Sequence, residues 1–172
     1  MTALTPSAAE AEFRERAAQK IMIFDGGYGT SIQKYGLTEA DYRGDLPLEK
    51  DQKGNNDLLC LTRPDIVKAI HTAYLDNKAD MIETNTFSGT RIAMADYGCA
   101  HLVHELNFTA ARLARECCDA AEAKDGVKRF VAGSIGPTNK TLSISPKVNA
   151  PAFREVDYDT LKEQYREQCA AL

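Results

Sequence analysis

No apolar run in this sequence approaches the roughly 18 residues that a membrane-spanning helix needs. The first segment, TPSAAEAEFRERAAQK, mixes acids with bases, so it lacks both the hydrophobic core of a signal peptide and the acid-free character of a transit helix. There is no basic excess: the formal net charge is -4 and the pI is near 5.4, which leaves no broad field to attract phosphate backbones and argues against a nucleic-acid partner. The five cysteines, Cys60, Cys99, Cys117, Cys118 and Cys169, follow no framework spacing, so reduced thiols are expected. These absences predict a soluble, cytoplasmic chain with no membrane partner.

The 172 residues suffice for one domain that buries about 68 to 70% of its unfolded surface. Residues 1–20 read as a helical extension, with Pro6 after Thr5 at its start and Lys20 at its end. IMIFD, 21–25, is a short apolar run that suits a strand buried on both faces of a parallel sheet, and DMIETNTF, 80–87, and RFVAGSIG, 129–136, read as two more strands. Thr62 and Asp65 have capping-box spacing ahead of a helix with Pro64 in its first turn, and Asn77 is placed to end that helix in a left-handed turn. A long helix runs from about Leu102 to Asp125 and Gly126. The stretch from Pro137 to Val156 reads as a loop, and Asp157 caps a last helix whose face carries Leu161, Tyr165, Cys169 and Leu172.

Strands joined through helical crossovers build parallel sheets whose C-terminal strand ends share one edge. FDGGYGT, ETNTF and SIGPTN all fall on that edge. Gly26, Gly27 and Gly29 permit positive φ and close backbone approach, and the following helical turn offers free amides to an anion. The Walker pattern is missing, because no lysine followed by Ser or Thr closes this loop. Asp25 repels phosphate but accepts from an ammonium group, which favours a zwitterionic amino acid; a plain strand-to-helix turn capped by Asp25 fits the same residues. Glu83 and Asn85 are two apart and share a strand face, where they either meet a ligand or satisfy backbone; Thr138 and Asn139, near Ser134, repeat the pattern. Cys117 and Cys118 point about 100 degrees apart on a helix, and His101 and His104 read as a solvated helix surface, so neither pair is taken as a metal site.

DGGYGT, KGNNDLLCLTRPDIVKAIHTAYL, ADMIETNTFSGTRIAMADYG and RFVAGSIGPTNKTLSISP together resemble the homocysteine-binding region of cobalamin-dependent methionine synthases, within the homocysteine S-methyltransferase family. The likeness runs from about Ile21 to Leu172. It implies a (βα)8 TIM barrel of which residues 21–172 supply roughly the first three βα units, with an N-terminal helix before them. It also implies homocysteine as substrate and a zinc ion held by three cysteines that activates the thiol. The resemblance further implies methyl transfer from methylcobalamin recharged by 5-methyltetrahydrofolate, with partner folate and cobalamin domains. Carried onto this chain, the pattern gives Asp25 the substrate amine and the amides of Gly26 and Gly27 its carboxylate, while Glu83, Asn85 and Thr138 form the neighbouring wall. The family's glycine-flanked zinc cysteines and its fourth-strand acid have no match here, so no catalytic or metal residue is assigned. A fragment that binds neither zinc nor methylcobalamin and has no turnover is expected. Tyr28 stands where the family's glycine motif usually carries methionine, and Lys78 where a glycine usually follows the helix. Two other readings are a phosphate-binding α/β protein and a non-catalytic remnant acting through an exposed sheet edge.

Overall fold

The computed structural model describes residues 7–172. The Thr5–Pro6 start signal lies outside the described residues. Helix α1 (Ala8–Gln19) is capped by Ser7, whose Oγ accepts from the Glu10 amide at 3.1 Å. Short helices α2 (Tyr28–Gln33), α3 (Glu39–Arg43) and α4 (Leu59–Thr62) then precede α5 (Pro64–Asp76). Strand β1 (Met81–Glu83) is followed by the single turn α6 (Arg91–Met94), the long helix α7 (Val103–Asp125), strand β2 (Phe130–Ala132) and α8 (Tyr158–Ala171). None of these helices is long and apolar enough to cross a membrane.

β1 and β2 pair in parallel with Met81 opposite Phe130 and Glu83 opposite Ala132. The expected first strand is reduced to one parallel bridge, Phe24 with Met81, and the other two strands are three residues each, shorter than their apolar runs. Nor is the first run buried on both faces: Ile21 is 86% exposed, Ile23 51% and Phe24 47%. The physical reason is pairing on one side only, with no layer among the described residues over the inner face.

The outer face is well covered. Ile82, fully buried at the centre of β1, packs with Leu75 of α5 and Ala114, Cys117, Cys118 and Ala121 of α7. Beside it, Ile66, Val67 and Ile70 of α5 meet Ala110 and Leu113 of α7, each large side chain contributing about 2 kcal/mol of burial. Side chains alternate along a strand, so with Ile82 turned to this helix-covered face, Met81 and Glu83 turn to the open side.

Several helix ends differ from expectation. Thr62 closes α4 instead of capping α5, and Arg63 occupies the cap position. The capping box fails because Arg63 takes the Asp65 carboxylate through two hydrogen bonds, at 2.9 and 2.8 Å. The left-handed residue after α5 is Lys78, φ 70°, not Asn77, φ -87°, whose side-chain amide instead donates back to the Ala73 carbonyl at 2.8 Å. On α8 the covered stripe passes from the half-buried Leu161 and Tyr165 to the buried Gln168 and Ala171 and the half-buried Leu172, leaving Cys169 exposed, because steps of four and three residues track the helix better than repeated fours. Asp157 caps α8 through the Thr160 amide at 2.7 Å, and Gly126, φ 71°, ends α7.

α1 covers the N-terminal ends of the strands. Asp80, just before β1, accepts from Lys20 at 2.5 Å and from the Ile23 amide at 3.0 Å, while Phe13 meets Phe130 edge to face. Burial pushes the Asp80 carboxyl up, but the Ile23 amide and Lys20 outweigh it and hold the group below its usual range. The C-terminal strand ends are left open for another purpose.

Candidate functional site

The carboxyl end of β1 opens into a cleft of about 330 Å³. Its walls come from three places: Tyr28 and Gly29 at the start of α2, the Gly54–Asp57 loop, and the β1 exit with Glu83, Asn85, Phe87 and Ser88. Tyr97 closes the rim.

Asp25 sits behind this cleft, 8% exposed, with both carboxylate oxygens accepting from the Glu83 amide at 3.1 Å. Burial is the main cause that raises its pKa to about 6; the Glu83 amide pulls the other way, and the Glu83 charge adds to the rise. Gly26 lends its carbonyl to the Tyr74 hydroxyl. Gly27 begins α2 at φ 56°, where a Cβ would stand 3.1 Å from Thr30 Oγ1, so both conformation and space require glycine there. Neither Gly26 nor Gly27 donates its amide to a backbone acceptor among the described residues.

Glu83 and Asn85 both line the cleft. The Asn85 side-chain amide donates to the Asn56 carbonyl at 2.7 Å, tying the β1 exit to the KGNND loop, and Cys60 donates to the Asn85 carbonyl at 3.5 Å. Thr138 is placed elsewhere: its hydroxyl donates to the Lys140 carbonyl at 2.8 Å, and it is not among the lining residues. Asn139 likewise reaches outward, to Asp96 at 2.6 Å.

The second and third strand ends are joined by threonines. Ser134 donates its amide to Thr84 Oγ1 at 2.9 Å and receives the Thr86 hydroxyl on its carbonyl at 2.8 Å, with the two threonine oxygens 2.7 Å apart. Gln168 of α8 adds a bond to the Thr86 carbonyl at 2.8 Å. Gly136 donates to the Phe87 carbonyl at 3.1 Å, so close that any side chain there would run into that oxygen.

Asn55, Asn56, Asp57 and Tyr97 carry no assignment from the sequence. The signal available was KGNND itself, where a glycine, at φ 91°, precedes three polar residues and an apolar run. Asp57 is 6% exposed, accepts from the Ser88 amide at 2.6 Å, and is pushed up to about 7 by burial, with that amide opposing. Beneath the first wall, Tyr28 donates to the Val67 carbonyl at 3.2 Å and stands edge-on to His71, which burial lowers to about 4.

The described residues do not fit a zinc ion. No three His, Cys, Asp or Glu among them gather closely enough to hold a metal. Cys60, Cys99, Cys117 and Cys118 are buried, and burial pushes each thiol up, Cys118 to about 12, away from the thiolate a metal needs.

Comparison with solved structures places this arrangement. The chain is similar to the homocysteine methyltransferase MmuM from Escherichia coli: for the metallated form the TM-score is 0.69 at 19% identity, covering 93% of this chain and 52% of that one. The oxidized form gives 0.67 at 19% with the same coverage, and the apo form 0.58 at 18%, covering 91% and 46%. The chain therefore spans about half the length of these structures, and its architecture is a partial TIM-barrel-like α/β fold. The sequence profile described as homocysteine S-methyltransferase matches residues 22–172, nearly the whole chain, and on that match the chain belongs to the homocysteine S-methyltransferase family.

Proposed function

We propose that this chain supplies the homocysteine-binding end of a methyltransferase of the methionine synthase type. In this reading the parent protein transfers a methyl group from methylcobalamin, recharged by 5-methyltetrahydrofolate, to homocysteine. Asp25, Gly26 and Gly27 bring the carboxylate and free amides of the first loop and Glu83 and Asn85 the adjoining wall, while Thr138, turned to the Lys140 carbonyl, takes no part in the cleft. Thiol activation by zinc and methyl donation by cobalamin belong to other protein segments, so the part played by these residues is to bind and orient. Reduced, buried thiols suit a cytoplasmic setting.

The observation that carries the reading is the charge of the cleft. Two acids, Asp57 and Glu83, line it with no lysine, arginine or histidine beside them. Such a wall attracts an ammonium group and repels phosphate, which separates an amino acid from a nucleotide. Calorimetric titration of the purified chain tests this: L-homocysteine gives saturable heat and inorganic phosphate or ATP gives none. Phosphate binding at this cleft would end the proposal. The same preparation, mixed with zinc, methylcobalamin and homocysteine, is expected to form no methionine; measurable turnover would overturn the view that it is a part of the active unit.

A second reading rests on a different observation, the exposure of Ile21, Ile23 and Phe24 beside an unpaired strand edge. There the chain acts as a non-catalytic partner that pairs through that edge.

A further inference from the structure

We infer that Gln168 of α8 is a positioning residue for the cleft: it sets where the turn carrying Phe87 and Ser88 stands in the wall. The inference deepens the functional reading above and rests on it for the identity of the ligand. Phe87 and Ser88 line the cleft from an irregular turn beyond the end of β1. That turn closes on itself through the Gly89 amide and the Thr86 carbonyl at 3.0 Å, which fixes its shape but not its place. At each end a fully buried side-chain amide ties it to a helix. Gln168 Nε2 donates to the Thr86 carbonyl at 2.8 Å, and Asn107 Nδ2 of α7 donates to the Gly89 carbonyl at 2.8 Å.

The Gln168 amide can face only one way. Its nitrogen has the Thr86 carbonyl at 2.8 Å and both Asn107 Oδ1 and the Ser134 carbonyl at 3.4 Å, so turning it over would set oxygen against three oxygens. Its own Oε1 is then left buried with no hydrogen-bond partner among the described residues. Such an atom is destabilising, and an apolar side chain of the same length would fill the space without one. Packing alone therefore does not call for glutamine; what the nitrogen holds does. At Gly89 a Cβ would stand 2.5 Å from Asn107 Oδ1 and 2.8 Å from Gln168 Nε2, so bare backbone is what lets both amides reach the turn. Three residues earlier, on the same face of α8, Tyr165 donates to the Gly136 carbonyl at 3.0 Å. The Gly136 amide in turn donates to the Phe87 carbonyl at 3.1 Å. α8 thus grips the exits of both strands, and its seating sets the cleft wall.

The test is backbone amide hydrogen exchange, read by NMR, in the 172-residue chain and in Gln168→Met, which keeps the length of the side chain and removes the donor. Exchange at Ser88 and Gly136 is expected to quicken about tenfold or more. Phe130, whose amide donates to the Asp80 carbonyl at 2.9 Å at the amino end of the sheet, and the amides of α5 are expected to keep their rates. Equal quickening at all these sites marks a merely structural role and overturns the inference, as do unchanged rates at Ser88 and Gly136. Calorimetric affinity for L-homocysteine is expected to fall about tenfold in Gln168→Met, and selective loosening with affinity unchanged overturns the inference too. If the parent chain binds no homocysteine, the functional reading falls and the exchange rates alone decide for or against Gln168. Should Gln168→Met not fold, Tyr165→Phe makes a milder cut in the same grip: faster exchange at Gly136 supports the inference, and an unchanged rate overturns it.

Discussion

Burial moves two side chains of this chain in opposite directions along the pH scale. Asp57 is raised to about 7 and His71 is lowered to about 4, each because its charged form is held away from water. For Asp57 the folded pKa lies above the unfolded value, so its contribution to stability is complete below the usual carboxylate range and is lost as pH rises toward 7. For His71 the folded value lies below, so its contribution is lost as pH falls from about 6.5 through 4. A comparison of Asp57→Asn with the parent cancels His71. Between pH 4 and pH 8 the difference in unfolding free energy is expected to shift in favour of the variant by on the order of 3 kcal/mol, read from urea melts. A difference that stays flat across that range would show Asp57 to be less buried or better paired than described. At this scale the sequence was informative in part: Glu83 and Asn85 both line the cleft, but β1 ends at Glu83, so only Glu83 owes its direction to the two-residue strand repeat. It was silent about Asp57, whose meaning depends on the Ser88 amide from a loop about thirty positions away.

Elements were legible to the extent that their ends are set by neighbours in sequence. Asp157 and Thr160, Gly126 and the apolar face of α5 all follow from caps and periodicity. Strand lengths were not, since a strand is as long as its partners allow and Phe24 has one partner residue. The Thr62 capping box failed for a similar reason, because Arg63 competes for the acid that the box requires. Lys78 is the remaining oddity: it is the described non-glycine residue at positive φ, at the turn from α5 into β1. A left-handed conformation costs a side chain roughly 1 to 2 kcal/mol, and the greater freedom of an unfolded glycine returns about half of that. Lys78→Gly should therefore raise stability by about 0.5 kcal/mol even though it removes the exposed pair with Asp125 at 3.2 Å. A measured loss would mean that the pair or the turn contributes more than its exposure implies.

For the whole molecule, the partial barrel was legible through the resemblance and through the order of strands and crossovers, and an inner face without its partners follows from three strands; the shrinking of the first strand to one bridge was not legible. Apolar side chains that a complete sheet would cover stand in water at Ile21 and Ile23, next to backbone groups that pair on one side only. Such an edge is a template for another strand. Sedimentation velocity over a hundredfold concentration range should show reversible self-association of the parent chain, and Ile23→Lys should shift it toward monomer by placing a charge on the edge. A parent that sediments as one monomeric species throughout would remove the support for an edge-mediated role. The molecule also keeps its two ends apart: Arg16 and Lys20 of α1 clasp Asp80 at the amino end of the sheet, while Glu83 and Asn85 open at the other. A dye, bead or surface tether attached along the solvent side of α1 therefore leaves the mouth pointing away from the support, ready to report on whatever enters it.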